Sequence, residues 1–377
     1  MTLQSCLKYD IGVDHVLPPE TSCAFIKERA LDLVDYLMKV KPEEFPFAQV
    51  VVSIPSRKFE QMVGPNVRPS GKGFSEIEAT NSVLFEIAER YSNIESLKKK
   101  GITSTLTQLR VSPEEIYENF FPSQIETLHF PAIFPYTPMR WDIFSDIKGN
   151  VKPIPYLFYF MTLHGSNGIA AGNTLEEAIL HGAYEVIERH CVSIVQETHV
   201  PVAPINRESV ENEYLNTVPD LQLYDISFLD IPTILGILPR GDNEFFCIAG
   251  CAGTRTEALN RLLSETAQLN TYAYFKKQGQ FTFKYYPTAM HTYTQNLVSN
   301  TLDPVNFDKI PEIARMDILE ELNILQENLT KTGMTLYWKD NTGSLQVPSV
   351  VVFIQGAKMC LLPVTGKSFS HYKGMLV

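Results

Sequence analysis

Three loop-to-helix segments of this chain share one register: GKGFSEIEATNSVLFEIAERY, AAGNTLEEAILHGAYEVIERH and CAGTRTEALNRLLSETAQLNT. Aligning Ser75, Thr174 and Thr254 brings Glu78, Glu177 and Glu257 to one position, each followed by Ala79, Ala178 or Ala258. Eight residues after those acids come Glu86, Glu185 and Glu265, and three further on Glu89, Glu188 and Gln268. Arg90 and Arg189 follow in the first two copies. The copies lie 99 and 80 residues apart, too far for a solenoid repeat. They read as three copies of one supersecondary unit that contribute to one site.

On a helix, positions i, i+4, i+8 and i+11 fall along one stripe, because eleven residues make almost three turns. Glu78, Ser82, Glu86 and Glu89 therefore share a face, as do Glu177, His181, Glu185 and Glu188, and Glu257, Arg261, Glu265 and Gln268. The remaining faces are apolar, with Val83, Leu84 and Ile87, then Ile179, Ala183 and Ile187, then Leu259, Leu262 and Leu263. Two Glu-x-x-Glu pairs repel one another unless they are solvated, paired with Arg or bridged by cations. Oxygen-only ligands of this kind suit Mg²⁺, which also coordinates substrate phosphates. Blander readings stand beside this one. Ser75-x-x-Glu78 and Thr174-x-x-Glu177 have the form of capping boxes, which need no ligand, and a single Glu-x-x-Glu is commonly a solvated face. His181 and His190 are metal-ligand types, but the Glu-x-x-His spacing of a di-iron bundle is missing.

The loops ahead of the helices narrow the ligand. Ser166–Asn173 and Gly71-Lys72-Gly73 are rich in small residues, which let backbone N–H groups approach an anion at a positive helix end. Neither fits the dinucleotide-binding Gly-x-Gly-x-x-Gly pattern or a P-loop. Acidic stripes, arginines and phosphate-friendly loops together point to Mg-nucleotide.

Composition removes several classes. The net charge of −11 excludes a broad electrostatic grip on nucleic acid or anionic lipid. Six cysteines without a Cys-x-x-Cys pair make neither a disulfide framework nor a structural zinc site, and suit a reducing, cytoplasmic compartment. Met1–Gly12 lacks a signal-peptide layout, and the longest apolar runs, Ile154–Leu163 and Val347–Ile354, are about half of the ~20 residues a membrane helix needs. They read as buried strands. Helices are expected over Thr21–Val40, Ser75–Ser92, Thr174–Glu197, Thr256–Phe275 and Met316–Thr332. Further strands are expected over Phe47–Ile54, Phe245–Ala249, Thr335–Trp338 and Val347–Gln355, with Gly64–Gly73 a loop. This mixture predicts an α/β (mixed α+β) enzyme, with residues 1–377 forming one large domain.

The stretch SNGIAAGNTLEEAILHGAYEVIERH closely resembles the signature of the YcaO family, with Glu185-x-x-Glu188-Arg189 as its hallmark. GKGFSEIEATNSVLFEIAERY resembles the family's earlier Glu-x-x-Glu-Arg segment, and Gly253–Gln268 its later Arg-x-x-x-Glu-x-x-Gln segment. The likeness covers at least residues 64–275, and Pro18-Pro19-Glu20-Thr21 extends it. It implies ATP and Mg²⁺ bound among these helices, with Glu86, Glu89, Glu185 and Glu188 as metal ligands. It also implies nucleotide or phosphate contacts from Asn173, Glu177, Arg189 and Arg261, with Thr21 in place of a nucleotide-contacting Ser. Ala170 stands where some members carry Ser.

The family resemblance further implies activation of a peptide backbone amide. A nucleophile adds to the carbonyl, and the resulting oxygen takes the γ-phosphate of ATP and leaves as phosphate. A substrate Cys or Ser/Thr gives an azoline, sulfide a thioamide, and an amine an amidine. Azoline-forming members typically end in a Pro-rich tail, whereas this chain ends SFSHYKGMLV with its last Pro at 363, which tilts the expectation towards a thioamide. The expected partners are a peptide or protein substrate, a separate TfuA-like or leader-peptide-binding delivery protein, and a second copy in a homodimer. The competing reading is a non-catalytic ATP-binding accessory to another modifying enzyme, such as a ribosomal-protein methylthiolation system.

Overall fold

Each of the three related segments folds as a strand, a tight loop and a long helix, and each strand lies at the edge of a different sheet. The computed structural model describes residues 2–65, 67–99, 101–110, 136–156, 167–198, 200–239, 245–277 and 301–358. Strand β1 (Val34–Val40), β2 (Gln49–Pro55) and β3 (Ser70–Gly73) make an antiparallel sheet in that order. A second sheet has β4 (Ile102–Ser104), β5 (Met139–Asp146), β13 (Thr335–Asp340), β14 (Ser349–Gln355) and β7 (Ile169–Ala171) side by side, with β6 (Val151–Pro155) also paired to β5. The third runs β11 (Phe245–Cys251), β10 (Thr233–Pro239), β9 (Gln222–Asp225), β8 (Ala203–Asn206) and β12 (Val305–Asn306).

The described helices are α1 (Pro19–Ala30), α2 (Arg57–Val63), α3 (Glu76–Lys98), α4 (Leu106–Leu109), α5 (Leu175–Thr198), α6 (Arg255–Lys277) and α7 (Ile318–Thr330). Strand β3 leads into α3, β7 into α5 and β11 into α6. The three entrances are capped alike: Ser75, Thr174 and Thr254 each accept, through the side-chain hydroxyl, the N–H of the glutamate three residues on, at 3.1–3.2 Å. Each helix then buries its apolar face: Ala79, Val83 and Ile87 on α3, Ala178, Ala183 and Ile187 on α5, and Ala258, Leu262 and Ala267 on α6. These faces seed three core clusters, so the acidic stripe is left for whatever lies between the helices.

Glycine decides how closely two of the helices sit on their strands. A Cβ on Gly71 would lie 2.0 Å from the Ala79 carbonyl oxygen and 2.3 Å from the Val83 nitrogen. A Cβ on Gly250 would meet the equivalent atoms of Ala258 and Leu262 at 2.1 and 2.8 Å. Both glycines lie four residues before the capping residue. Gly71→Ala or Gly250→Ala must push a helix backbone away, and overpacking of this kind costs about 1–3 kcal/mol. A lowered urea midpoint with unchanged slope is the expected result.

One expected helix is shorter than its apolar pattern suggested. Thr21–Val40 is helical only to Ala30, turns through Leu31–Leu33 and continues as β1. Val34, Tyr36 and Val40 are strand formers, and the segment's pairing with β2, from Tyr36 opposite Ile54 to Val40 opposite Val50, outweighs the helical spacing. The expected 64–73 loop likewise ends in β3, paired with β2. Of the expected strand Ile154–Leu163 only Ile154 and Pro155 are extended, as the end of β6, and Tyr156 is already helical; residues 157–163 lie outside the described residues, as does the terminal SFSHYKGMLV. Among the described residues no helix is long and apolar enough to cross a membrane.

Candidate functional site

The acidic faces of α3, α5 and α6 converge. Burial first, then the charges of Glu185 and Glu86, push the Glu89 carboxyl well above the ordinary range against the opposing pull of Arg90. Glu188, 7% exposed, is pushed up to about 7 by burial, with Glu265 and Glu185 adding to the effect and Arg189 and Lys72 opposing it. Glu185 is raised, chiefly by burial, although Arg189, Arg90 and the Gly168 N–H favour its charged form. Glu265 is the exception: burial would raise it, but Lys72 and Arg189 outweigh that and hold it low. Carboxylates from three helices thus feel one another across one site.

The first two units are built alike. Glu86 accepts the Ser70 N–H at 3.1 Å and Glu185 accepts the Gly168 N–H at 3.0 Å, so in each a glutamate is oriented by the edge strand or the loop ahead of it. Arg90 lies 3.0 Å from Glu86 and Arg189 lies 3.4 Å from Glu188. The third unit bridges back to the first. Lys72 of β3 lies 3.2 Å from Glu265, and the Gln268 amide donates to the Ser70 carbonyl and hydroxyl at 3.0 and 2.7 Å.

At the helix entrances the three related acids diverge. Glu78 closes a capping box on the Phe74 and Ser75 N–H groups, so it is spent locally. Glu177 instead accepts from the Asn173 amide at 2.9 Å, from the Val16 N–H at 2.9 Å and lies 3.2 Å from His15 Nδ1. Asn173 in turn accepts the Ser22 hydroxyl at 2.9 Å. Glu257 lies 3.6 Å from Arg261, whose guanidinium also reaches Asp14 at 2.9 Å and the Cys251 carbonyl at 3.0 Å.

Glu86, Glu89, Glu185, Glu188 and Arg189 are thus on the convergent seam, with Asn173, Glu177 and Arg261 beside it at the helix entrances. Thr21 is exposed on α1, and its neighbour Ser22 is the hydroxyl that meets Asn173. Which of two adjacent residues turns inward at a helix's first turn depends on how the helix docks, and the sequence carries no signal for it. Asp14 and His15 belong to a non-helical segment with no pattern of its own. Lys72 and Glu265 were legible, one in the small-residue loop and one in the shared register. His181 is exposed on the α5 stripe, and His190 is buried with its Nδ1 accepting the Lys358 N–H at 2.8 Å.

The donor set fits Mg²⁺: it is all oxygen, crowded with like charge, and flanked by arginines that neutralise it only in part. Among the described residues no three His, Cys, Asp or Glu side chains are gathered closely enough to hold an ion alone.

This mixed α/β protein carries a three-helix acidic seam and neither the P-loop nor the dinucleotide-binding sequence pattern. The family model described as YcaO cyclodehydratase, ATP- and Mg²⁺-binding, matches residues 70–358, and the chain belongs to that family. Solved structures share the fold. A heterocyclase in complex with substrate and cofactor is 20% identical, with a TM-score of 0.74 over 95% of this chain and 54% of its own. The chain therefore spans about half the length of that heterocyclase. YcaO from Methanopyrus kandleri, bound with AMPPCP and Mg²⁺, is 19% identical, with a TM-score of 0.69 over 96% of this chain and 99% of its own. The E. coli microcin synthetase McbBCD complex with pro-MccB17 bound is 14% identical, with a TM-score of 0.60 over 85% of this chain and 86% of its own.

Proposed function

We propose that this protein uses Mg-ATP to activate a backbone amide of a peptide or protein substrate by O-phosphorylation. The observation that carries this is the convergence of Glu86, Glu89, Glu185, Glu188 and Glu265 from three helices, supported by membership of an ATP- and Mg²⁺-binding family. Glu86, Glu89, Glu185 and Glu188 would hold Mg²⁺, which when bound supplies charge neutralisation for the transferring phosphoryl group. Arg189 and Arg261 would bind phosphate oxygens, while Asn173, Glu177 and the α1 hydroxyls of Ser22 and Thr21 would orient the nucleotide.

The reaction balances with one ATP per amide. A nucleophile adds to the carbonyl carbon, the resulting oxyanion attacks the γ-phosphorus, and ADP leaves. Collapse of the tetrahedral species breaks the C–O bond and expels phosphate. Among the described residues the cysteines are poor candidates for the nucleophile: Cys191 and Cys251 are buried, and burial first of all pushes the Cys191 thiol up to about 12. On this reading the nucleophile comes from outside the chain, as sulfide to give a thioamide, which we prefer, or from a substrate side chain to give an azoline. Substrate presentation by a separate delivery protein, and action as a homodimer, belong to the same reading.

Incubating the protein with ATP, Mg²⁺, sulfide and candidate peptides tests it by mass spectrometry. Oxygen-to-sulfur exchange adds about 16 mass units and dehydration removes about 18, as the two nucleophiles dictate. ATP binding without any peptide modification across substrates and partners would favour the accessory role. His181 is outside this machinery: His181→Ala retains most Mg-ATP affinity by calorimetry, and loss of binding in the folded variant would place it inside.

A further inference from the structure

The N-terminal segment is sewn across the entrances of α5, α6 and α7. The Gln4 N–H donates to Glu176 at 2.9 Å, the Cys6 N–H to the α7 cap Asp317 at 3.2 Å, and the Val16 N–H to Glu177 at 2.9 Å. Between these points a chain of buried charges leads to Arg261. Lys8 Nζ, with no exposed side-chain surface, lies 2.8 Å from Glu321 Oε2 and 3.0 Å from Asp14 Oδ1. The other Asp14 oxygen takes Arg261 Nη2 at 2.9 Å. Glu321 is itself held by the Tyr184 hydroxyl and the Arg315 N–H.

Buried ion pairs of this kind are weak stabilisers, because desolvation consumes most of the Coulomb gain and an apolar replacement is often as stable. What such a chain does supply is fixed geometry. Arg261 is gripped by Asp14, by Glu257 and by the Cys251 carbonyl, so a long side chain that otherwise samples many rotamers is confined to one pose. The backbone makes room for it. At the register position filled by Phe74 and Asn173 in the first two units, the third has Gly253. A Cβ there would lie 2.5 Å from Glu321 Oε1 and 2.9 Å from the Tyr184 hydroxyl.

We propose that Glu321, Lys8 and Asp14 form a positioning relay that sets the Arg261 guanidinium for the nucleotide phosphates, so that the N-terminal segment and α7 are working parts of the ATP site. The relay rests on the reading above that Arg261 faces the nucleotide. A double-mutant cycle on the full chain, with Mg-ATP affinity read by calorimetry, tests it. Asp14→Asn keeps shape and removes charge, and is expected to weaken Mg-ATP binding about tenfold, within the range of coupling energies between contacting residues. Arg261→Lys weakens binding as well, and the double variant binds no more weakly than Arg261→Lys alone. Multiplying losses, or an unchanged affinity in Asp14→Asn, overturns the relay. Should Asp14→Asn fail to fold, Glu321→Gln enters the same cycle with the same expectations. Unchanged affinity in Arg261→Lys would instead fault the placing of Arg261 at the nucleotide. A crystal structure of Asp14→Asn then decides the relay separately, and Arg261 still seated on the Cys251 carbonyl would overturn it.

Discussion

Glu185→Gln and Glu188→Gln are each expected to abolish Mg²⁺-dependent ATP binding while the fold survives. Removing a group that merely supports a metal ligand costs about 10–100-fold in metal affinity, and removing a ligand's own charge costs at least that much. The fold is expected to tolerate the change because burial raises both carboxyls against the pull of Arg189, so an uncharged amide of the same shape sheds part of the desolvation cost. Calorimetry with ATP, with and without Mg²⁺, checks the loss, and circular dichroism checks the fold. The corresponding Glu86→Gln and Glu89→Gln variants follow suit, since the first unit repeats the same Glu-x-x-Glu-Arg build. Unchanged affinity in both α5 variants would remove Mg²⁺ from the seam.

The second large effect is a pH dependence that disappears when Mg-ATP is added. Burial first, then Glu265 and Glu185, raises Glu188 from its ordinary 4.5 to about 7 in the folded protein. Between those values the folded chain holds a proton that the unfolded chain has released, so apo stability falls as pH climbs through that window and levels off above it. Glu89 and Glu185, also raised chiefly by burial, add to the slope, whereas depressed Glu265 stabilises and loses that contribution only as pH falls below its ordinary range. Metal binding demands the charged carboxylates, so Mg-ATP affinity rises over the same window. Urea midpoints measured from about pH 5 to pH 8 should fall for the apo protein, fall less for Glu188→Gln, and stay nearly level with saturating Mg-ATP, because the bound and the unfolded chain then both hold these carboxyls charged. A flat apo profile would contradict the crowding of the seam.

The α1 region and the helix entrances show where reading from sequence stops. Val34, Tyr36 and Val40 lend the segment some strand propensity, yet only its partner β2 at Gln49–Pro55 turns that propensity into a strand. Ser75-x-x-Glu78 and Thr174-x-x-Glu177 read as the same local motif. One closes a capping box, and the other turns its acid to His15, Val16 and Asn173. The difference comes from the N-terminal segment lying over α5, a contact between residues about 160 positions apart.

What the sequence determined by itself was everything governed by short-range spacing: three helices with acidic stripes, their hydroxyl caps, the Glu-x-x-Glu-Arg pairs, and from these the expectation of Mg-nucleotide. Helical period and capping chemistry are local, and eleven residues suffice to place Glu78, Glu86 and Glu89 on one face. Only the tertiary structure decided that the three units spring from the edges of three different sheets and turn those stripes inward. It alone chose Ser22 over Thr21 at Asn173, brought Lys72 to Glu265, and led a chain of buried charge from Glu321 to Arg261. Those pairings join residues up to 313 positions apart. Charges so distant in sequence meet only when the cores beneath them have packed, because burial of the apolar faces is what holds like charges together against their own repulsion.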